Sequence, residues 1–187
     1  MPSVPHAELA STLDAHTPRD GTETADLERT RALLTTPDPW DRTTPLHATA
    51  SALIVHVPTR RVLMRWHPRL RAWLQVGGHA DPGETDPIQV ALREAREESG
   101  LDDVRPWPDQ RLLHVVVVDV PANDREPAHE HADLRFALTC DSPDRARPEH
   151  SEAHLRWLTV PEAQELSGED NVVETLDRLN QLLVTNG

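Results

Sequence analysis

The sequence predicts an α/β fold, a sandwich of helices around a mixed β-sheet with an N-terminal helical extension. Strand-like runs and helical patterns are interspersed without the regular alternation of a purely parallel sheet. The first 46 residues carry two short helical patterns and no strand-like run. A helix with clear start and stop signals stands in the middle of the chain.

In order along the chain, Ala7–Ala15 and Ala25–Leu34 show apolar residues at helical spacing, separated by Thr17–Thr24 and followed by a Pro- and Thr-rich loop at Thr35–Pro45. Residues 1–46 therefore read as a helical extension and 47–187 as the principal domain. His47–Val57 and Arg61–Trp66 read as paired strands joined by a turn at Pro58–Arg60. Leu112–Val120, Leu134–Thr139 and Ala153–Thr159 are further strands, and Pro161–Leu166 and Val172–Leu183 are helices. Pro121–His131 and Asp141–Pro148 read as loops.

The central helix is predicted over Pro87–Ser99. Asp86 is placed as its N-cap, Pro87 suits the first helical position, Gln89 completes a capping-box pattern, and Gly100 suits the terminus. Ile88, Ala91, Leu92 and Ala95 form an apolar stripe for packing on a sheet. Glu94, Glu97 and Glu98 stand at i, i+3 and i+4, so their carboxylates share one edge of the helix. Like charges that close repel, and a hard cation offsets that repulsion. On spacing alone, a solvated acidic face partnered by Arg93 and Arg96 is the commoner arrangement.

Composition bounds the function. The chain has 187 residues, enough to bury a core without disulfides, and its single cysteine, Cys140, excludes an internal one. The 32 acidic residues against 19 basic ones give a net charge of −13, which argues against nucleic-acid binding. That charge is compatible with phosphorylated small molecules when a divalent cation lies between them and the protein. No basic segment followed by an apolar run opens the chain, and no apolar stretch reaches membrane-spanning length. The expectation is a cytoplasmic protein without membrane or nucleic-acid partners.

The residues around the helix change its reading. Gly78, five residues, Glu84, a spacer, then Arg93-Glu94-Ala95-Arg96-Glu97-Glu98-Ser99-Gly100-Leu101 resemble the Nudix box. Between Glu84 and Arg93 stand eight residues, Thr85 to Leu92, where the family pattern has seven. Trp73-Leu74-Gln75 resembles the strand entering the box, and His129-Glu130-His131-Ala132-Asp133-Leu134-Arg135-Phe136 a His-rich strand start of one Nudix subgroup. Glu152, followed by Leu155-Arg156-Trp157, resembles a late Glu segment of many members.

The resemblance implies a Nudix-like α/β/α sandwich and hydrolysis of a diphosphate bond in a nucleoside diphosphate linked to another moiety, or in a (d)NTP-like substrate. It further implies Mg²⁺ or Mn²⁺ on Glu94, Glu97, Glu98 and Glu84, with catalytic roles for Glu97, Glu98, Arg93 and Glu152, and a possible homodimer. Gly78, His79, His129, His131 and Trp73 are the substrate-binding candidates, and His129 and His131, at i, i+2, also suit a transition metal. Trp73 and Trp66 suit base stacking as well as core packing, and Arg65, Arg69 and Arg71 suit phosphate as well as solvent. Two alternatives keep the fold: a non-catalytic nucleotide sensor, and an isomerase of the isopentenyl diphosphate type, which wants a cysteine beside the metal.

Overall fold

Strand β1 (Leu46–His56) is buried along all but its two ends, so both of its faces need cover. The computed structural model, which describes residues 4–122, 124 and 126–186, supplies that cover with a helical layer on each side. The other strands are β2 (Arg61–His67), β3 (Ala72–Leu74), β4 (Val76–Gly78), β5 (Arg105–Pro106), β6 (Leu112–Val120), β7 (His129–Thr139) and β8 (Leu155–Thr159). The helices are α1 (Val4–Asp14), α2 (Gly21–Ala32), α3 (Pro87–Ser99), α4 (Val160–Ser167) and α5 (Asp170–Asn186).

The sheet runs β3-β2-β1-β7-β5, with β4 paired to β1, β6 to β7 and β8 to β2. β1 and β7 are parallel, in register from Leu46↔Glu130 to Val55↔Thr139, and the remaining pairs are antiparallel. The sheet is therefore mixed, as expected. Alternation along β1 divides the interior. Ala48, Ala50, Ala52 and Ile54 share one core with Ile88, Ala91, Leu92 and Ala95 of α3 and with Leu9, Leu13 and Leu27 of α1 and α2. Leu53 and Val55 face the other core, with Ala163 of α4 and Val172, Leu176, Leu179 and Leu183 of α5.

Several boundaries differ from the sequence expectation. α2 begins at Gly21, because Asp20 caps it by accepting from the Glu23 N–H at 2.9 Å. β7 starts at His129, so residues 129–131, expected in a loop, are strand; pairing with β1 extends it. β8 starts at Leu155. Asp86 caps α3 through the Ile88 N–H at 3.2 Å, but Gln89 returns no side-chain bond, so the capping box is half formed. Gly100 closes α3 at φ 65°, as the sequence predicts. Among the described residues, no helix is long and apolar enough to cross a membrane.

The N-terminal helices cover a sheet edge. Among the described residues β6 pairs with no strand but β7, so N–H groups on its far side have no strand partner. α2 meets them with carboxylates: Glu23 accepts from the Val115 N–H at 3.2 Å and Asp26 from the Val117 N–H at 3.1 Å. Glu23 is 1% exposed and also binds Arg178 at 2.7 Å and His16 at 2.8 Å. Burial pushes its carboxyl up, but the bonds from His16, Arg178 and the Arg19 and Val115 N–H groups outweigh that and hold it well below 4.5.

Because the folded value is depressed, Glu23 stabilises the fold fully above about pH 4.5 and loses that contribution as pH falls through the lowered value. Glu23→Ala removes one partner of a buried ion pair and should cost about 3–5 kcal/mol at pH 7. Urea unfolding of the variant and the parent, at pH 7 and in acid, measures both effects; equal stabilities at pH 7 would refute the edge-lock role.

Candidate active site

Arg93 is the centre of the carboxylate cluster. Its Nε donates to both Glu84 oxygens at 3.0 Å, and Nη2 donates to Glu84 Oε2 at 2.9 Å and to the His79 carbonyl at 2.7 Å. Nη1 donates to Glu94 at 3.0 Å and to Glu97 at 2.7 Å, and Asp81 lies 3.6 Å from Nε. One guanidinium thus faces four carboxylates, which leaves local negative charge uncompensated. Across the eight residues that separate them, Glu84 and Arg93 of the helix are bonded side chain to side chain.

Glu98 points elsewhere. It accepts from the Gly77 N–H at 3.0 Å and lies 3.2 Å from Arg65 Nη2. Its burial pushes the carboxyl up to about 7 against the pull of Arg65 and the Gly77 N–H. Burial likewise raises Glu94, opposed by Arg93 and reinforced by Glu97 and Asp81. Glu84 is the reverse case, since Arg93 and the Asp81 N–H outweigh its burial and hold it low.

Two glycines shape the site. Gly77, at φ 149°, passes Ser51 so closely that a Cβ would sit 2.5 Å from Ser51 Cα. A Cβ on Gly78 would sit 2.8 Å from Glu94 Oε1. The missing side chain is the space in which the Glu94 carboxylate rests.

The other predicted residues divide. His79, His129 and His131 come together, and His47 of β1, unassigned from sequence, joins them: its ring lies 5.1 Å from that of His79 and 4.9 Å from that of His131. Glu152 is exposed in the turn before β8 and bonds to none of the box residues. The carboxylate from that turn whose charge reaches Glu98 is Glu149. Trp73 packs against Trp66 at 5.6 Å under Arg156, beside the α4–α5 core, and is not part of the carboxylate cluster. Arg65, read from sequence as a basic loop residue or phosphate ligand, is the partner of Glu98. A cavity of about 410 Å³ lined by His16, Arg19, Trp107, Arg111 and Arg178 shares no residue with this site.

The NUDIX domain family matches residues 45–179. The chain belongs to the Nudix family. That membership classes it as a pyrophosphohydrolase. None of the curated proteins matches it in sequence. Among solved structures, a Clostridium perfringens hydrolase of the NUDIX family is 26% identical, with 71% of this chain and 97% of that one covered and a TM-score of 0.55. The Caenorhabditis elegans Ap4A hydrolase in a binary complex is 18% identical over 76% of this chain and 99% of that one, TM-score 0.57. The Escherichia coli dihydroneopterin triphosphate pyrophosphohydrolase is 19% identical over 76% and 97%, TM-score 0.52. These last two share the fold.

Two predictions follow the geometry. Gly77→Ala strains a left-handed backbone and meets backbone atoms, so it should destabilise by at least about 1–3 kcal/mol. Gly78→Ala meets only the end of a flexible Glu94, so it should keep the fold and displace that carboxylate; paired urea titrations separate the two. In chelator-treated protein, Glu98 has a raised folded value, so its ionisation lowers stability as pH climbs from 4.5 towards 7. Glu98→Gln should therefore be stabilising at pH 8, by up to about 3 kcal/mol, and near neutral at pH 5. The same stability difference at both pH values would contradict the assignment.

Proposed function

We propose that this chain is a divalent-metal-dependent hydrolase of a diphosphate bond in a small, nucleotide-like substrate, with Glu94, Glu97 and Glu98 holding Mg²⁺ or Mn²⁺. The observation that carries this reading is the gathering of Glu94 and Glu97 at Arg93 over the side-chain-free Gly78, with Glu98 held against the adjoining Gly77. Their charge exceeds what one guanidinium offsets, and the upward push on Glu94 and Glu98 is what a cation would relieve. When bound, the metal supplies charge neutralisation for the diphosphate and activation of water.

The chain's own residues supply the rest. Glu97 is half exposed, so of the three helix glutamates it is the one most open to an incoming group. Glu98 is held by the Gly77 N–H at 3.0 Å and by Arg65 at 3.2 Å, apart from the other two glutamates, and a cation on it would bring its raised carboxyl down. Glu84 has its oxygens taken by Arg93 and by the Asp81 N–H at 2.8 Å. We therefore read it as a positioning residue that locks Arg93, and through it Glu94 and Glu97, in place of a direct ligand.

An isomerase reading gains no support from Cys140. The thiol is buried and pushed up to about 11, mainly by burial, so it is a poor nucleophile at neutral pH.

The test is turnover of a panel of (d)NTPs, nucleotide sugars, ADP-ribose and dinucleoside polyphosphates, with and without Mg²⁺ or Mn²⁺. Ap4A and dihydroneopterin triphosphate, named for two fold relatives, belong in it. Metal-dependent release of phosphate or a nucleoside monophosphate is expected. Glu97→Gln should cut it at least about 100-fold, the scale of losing one electrostatic contributor to the transition state, with unfolding unchanged. Full activity in that variant would overturn the metal assignment.

A further inference from the structure

We propose a second metal site, separate from the box glutamates, in which His47, His79 and His131 bind a borderline transition ion of the Zn²⁺ type through their imidazole nitrogens. The candidate ligand atoms of these three residues all lie within 4.8 Å of one another, and no other such group of three is found among the described residues. His129 stands at the rim, its ring 4.9 Å from that of His131 and 5.3 Å from that of His47.

Strand pairing builds the site. His47 lies opposite His131 in the parallel β1–β7 register, so the two side chains emerge on one face of the sheet. β4 runs antiparallel to β1 with Gly78 opposite Ala50, which delivers His79, the next residue, beside the start of β1. His129 follows at i−2 from His131 on the same face.

The hydrogen bonds fix which nitrogen faces inward on His47 and on His129. His47 Nδ1 lies 3.0 Å from the Thr44 carbonyl, and His129 Nδ1 lies 2.9 Å from the Pro127 carbonyl. A carbonyl only accepts, so each Nδ1 carries the proton, and in the neutral ring Nε2 keeps its lone pair. Those lone pairs point to His79 Nε2 and His131 Nε2, each at 3.1 Å. A backbone carbonyl that fixes the tautomer of a histidine is the usual support of a metal-bound imidazole. The 3.1 Å between His47 Nε2 and His79 Nε2 is also close to the edge of a tetrahedron with Zn–N bonds of 2.0–2.1 Å, roughly 3.3–3.4 Å.

The chemistry selects the metal. The cluster is all imidazole, which suits zinc, copper, iron or nickel and is a poor set for Mg²⁺. His47 is fully buried while His79 and His131 are partly exposed, which leaves one side of the cluster open to solvent for a fourth ligand. The site also touches the box, since the His79 carbonyl accepts from Arg93 at 2.7 Å.

The test uses full-length protein freed of metal with a chelator and titrated with Zn²⁺ by calorimetry, and with Co²⁺ by visible absorption. The expected result is one tight Zn²⁺ and the intense absorption of four-coordinate Co²⁺. His79→Ala and His131→Ala should each abolish that absorption and weaken Zn²⁺ by more than the ~10–100-fold that outer-shell changes cost. His79 lies in a loop, so its variant guards against misfolding at His131, and circular dichroism checks both. Glu94→Gln and Glu97→Gln should leave the Co²⁺ spectrum unchanged, which separates this site from the box carboxylates. Absence of the four-coordinate spectrum in wild type, its survival in folded His79→Ala, or its loss in the glutamate variants would each overturn the proposal.

Discussion

The parallel pairing of β1 with β7 is the constraint on which the rest depends. Parallel neighbours cannot be joined by a tight turn, so the chain must leave β1, cross the sheet and return. The crossover carries the box loop and α3, and their position on one face follows from that path. The same register places His47 opposite His131, and Thr49 and Ser51 beside Asp133, which accepts from their hydroxyls at 3.1 and 2.8 Å. Asp133 also binds Arg135 at 2.8 Å, and Arg135 reaches Asn171 and Thr175 of α5. The buried polar groups of the central strands are thereby paired, which a low-dielectric interior requires.

Two electrostatic designs meet at the end of the box loop. Around Arg93, carboxylates outnumber the cation that holds them, and the surplus charge is suited to hard, oxygen-loving ions. Around His47, imidazoles gather, with the outer nitrogens of His47 and His129 bonded to backbone carbonyls, a set suited to softer ions. His79 links them, contributing its carbonyl to Arg93 and its ring to the imidazole cluster. An ion in one site would therefore bear on the loop that shapes the other.

The N-terminal helices belong to this architecture as edge and core. Leu9, Leu13 and Leu27 enter the α3-side core, and Glu23 and Asp26 satisfy backbone donors of β6. A sheet edge closed by carboxylates cannot recruit another strand there, and the arrangement makes α2 depend on the ionisation of Glu23.

The sequence by itself determined whatever rests on short-range chemistry. The limits of α3 follow from Asp86, Pro87 and Gly100, and the shared edge of Glu94, Glu97 and Glu98 follows from helical spacing. Glu84, Arg93 and the glycine loop were legible as a family pattern, because the box is contiguous in the chain. Contacts between distant segments were not legible. Glu23 meets Val115 and Arg178, Arg65 meets Glu98, and His47 meets His131, all through strand register and helix docking that one sequence does not encode locally. The first residues of β7 looked like a polar loop for the same reason, since only pairing with β1 makes them strand. Tertiary structure also decided the contacts inside the box: Glu84 bonds Arg93, and Gly77 and Arg65 set Glu98 apart from the other two glutamates.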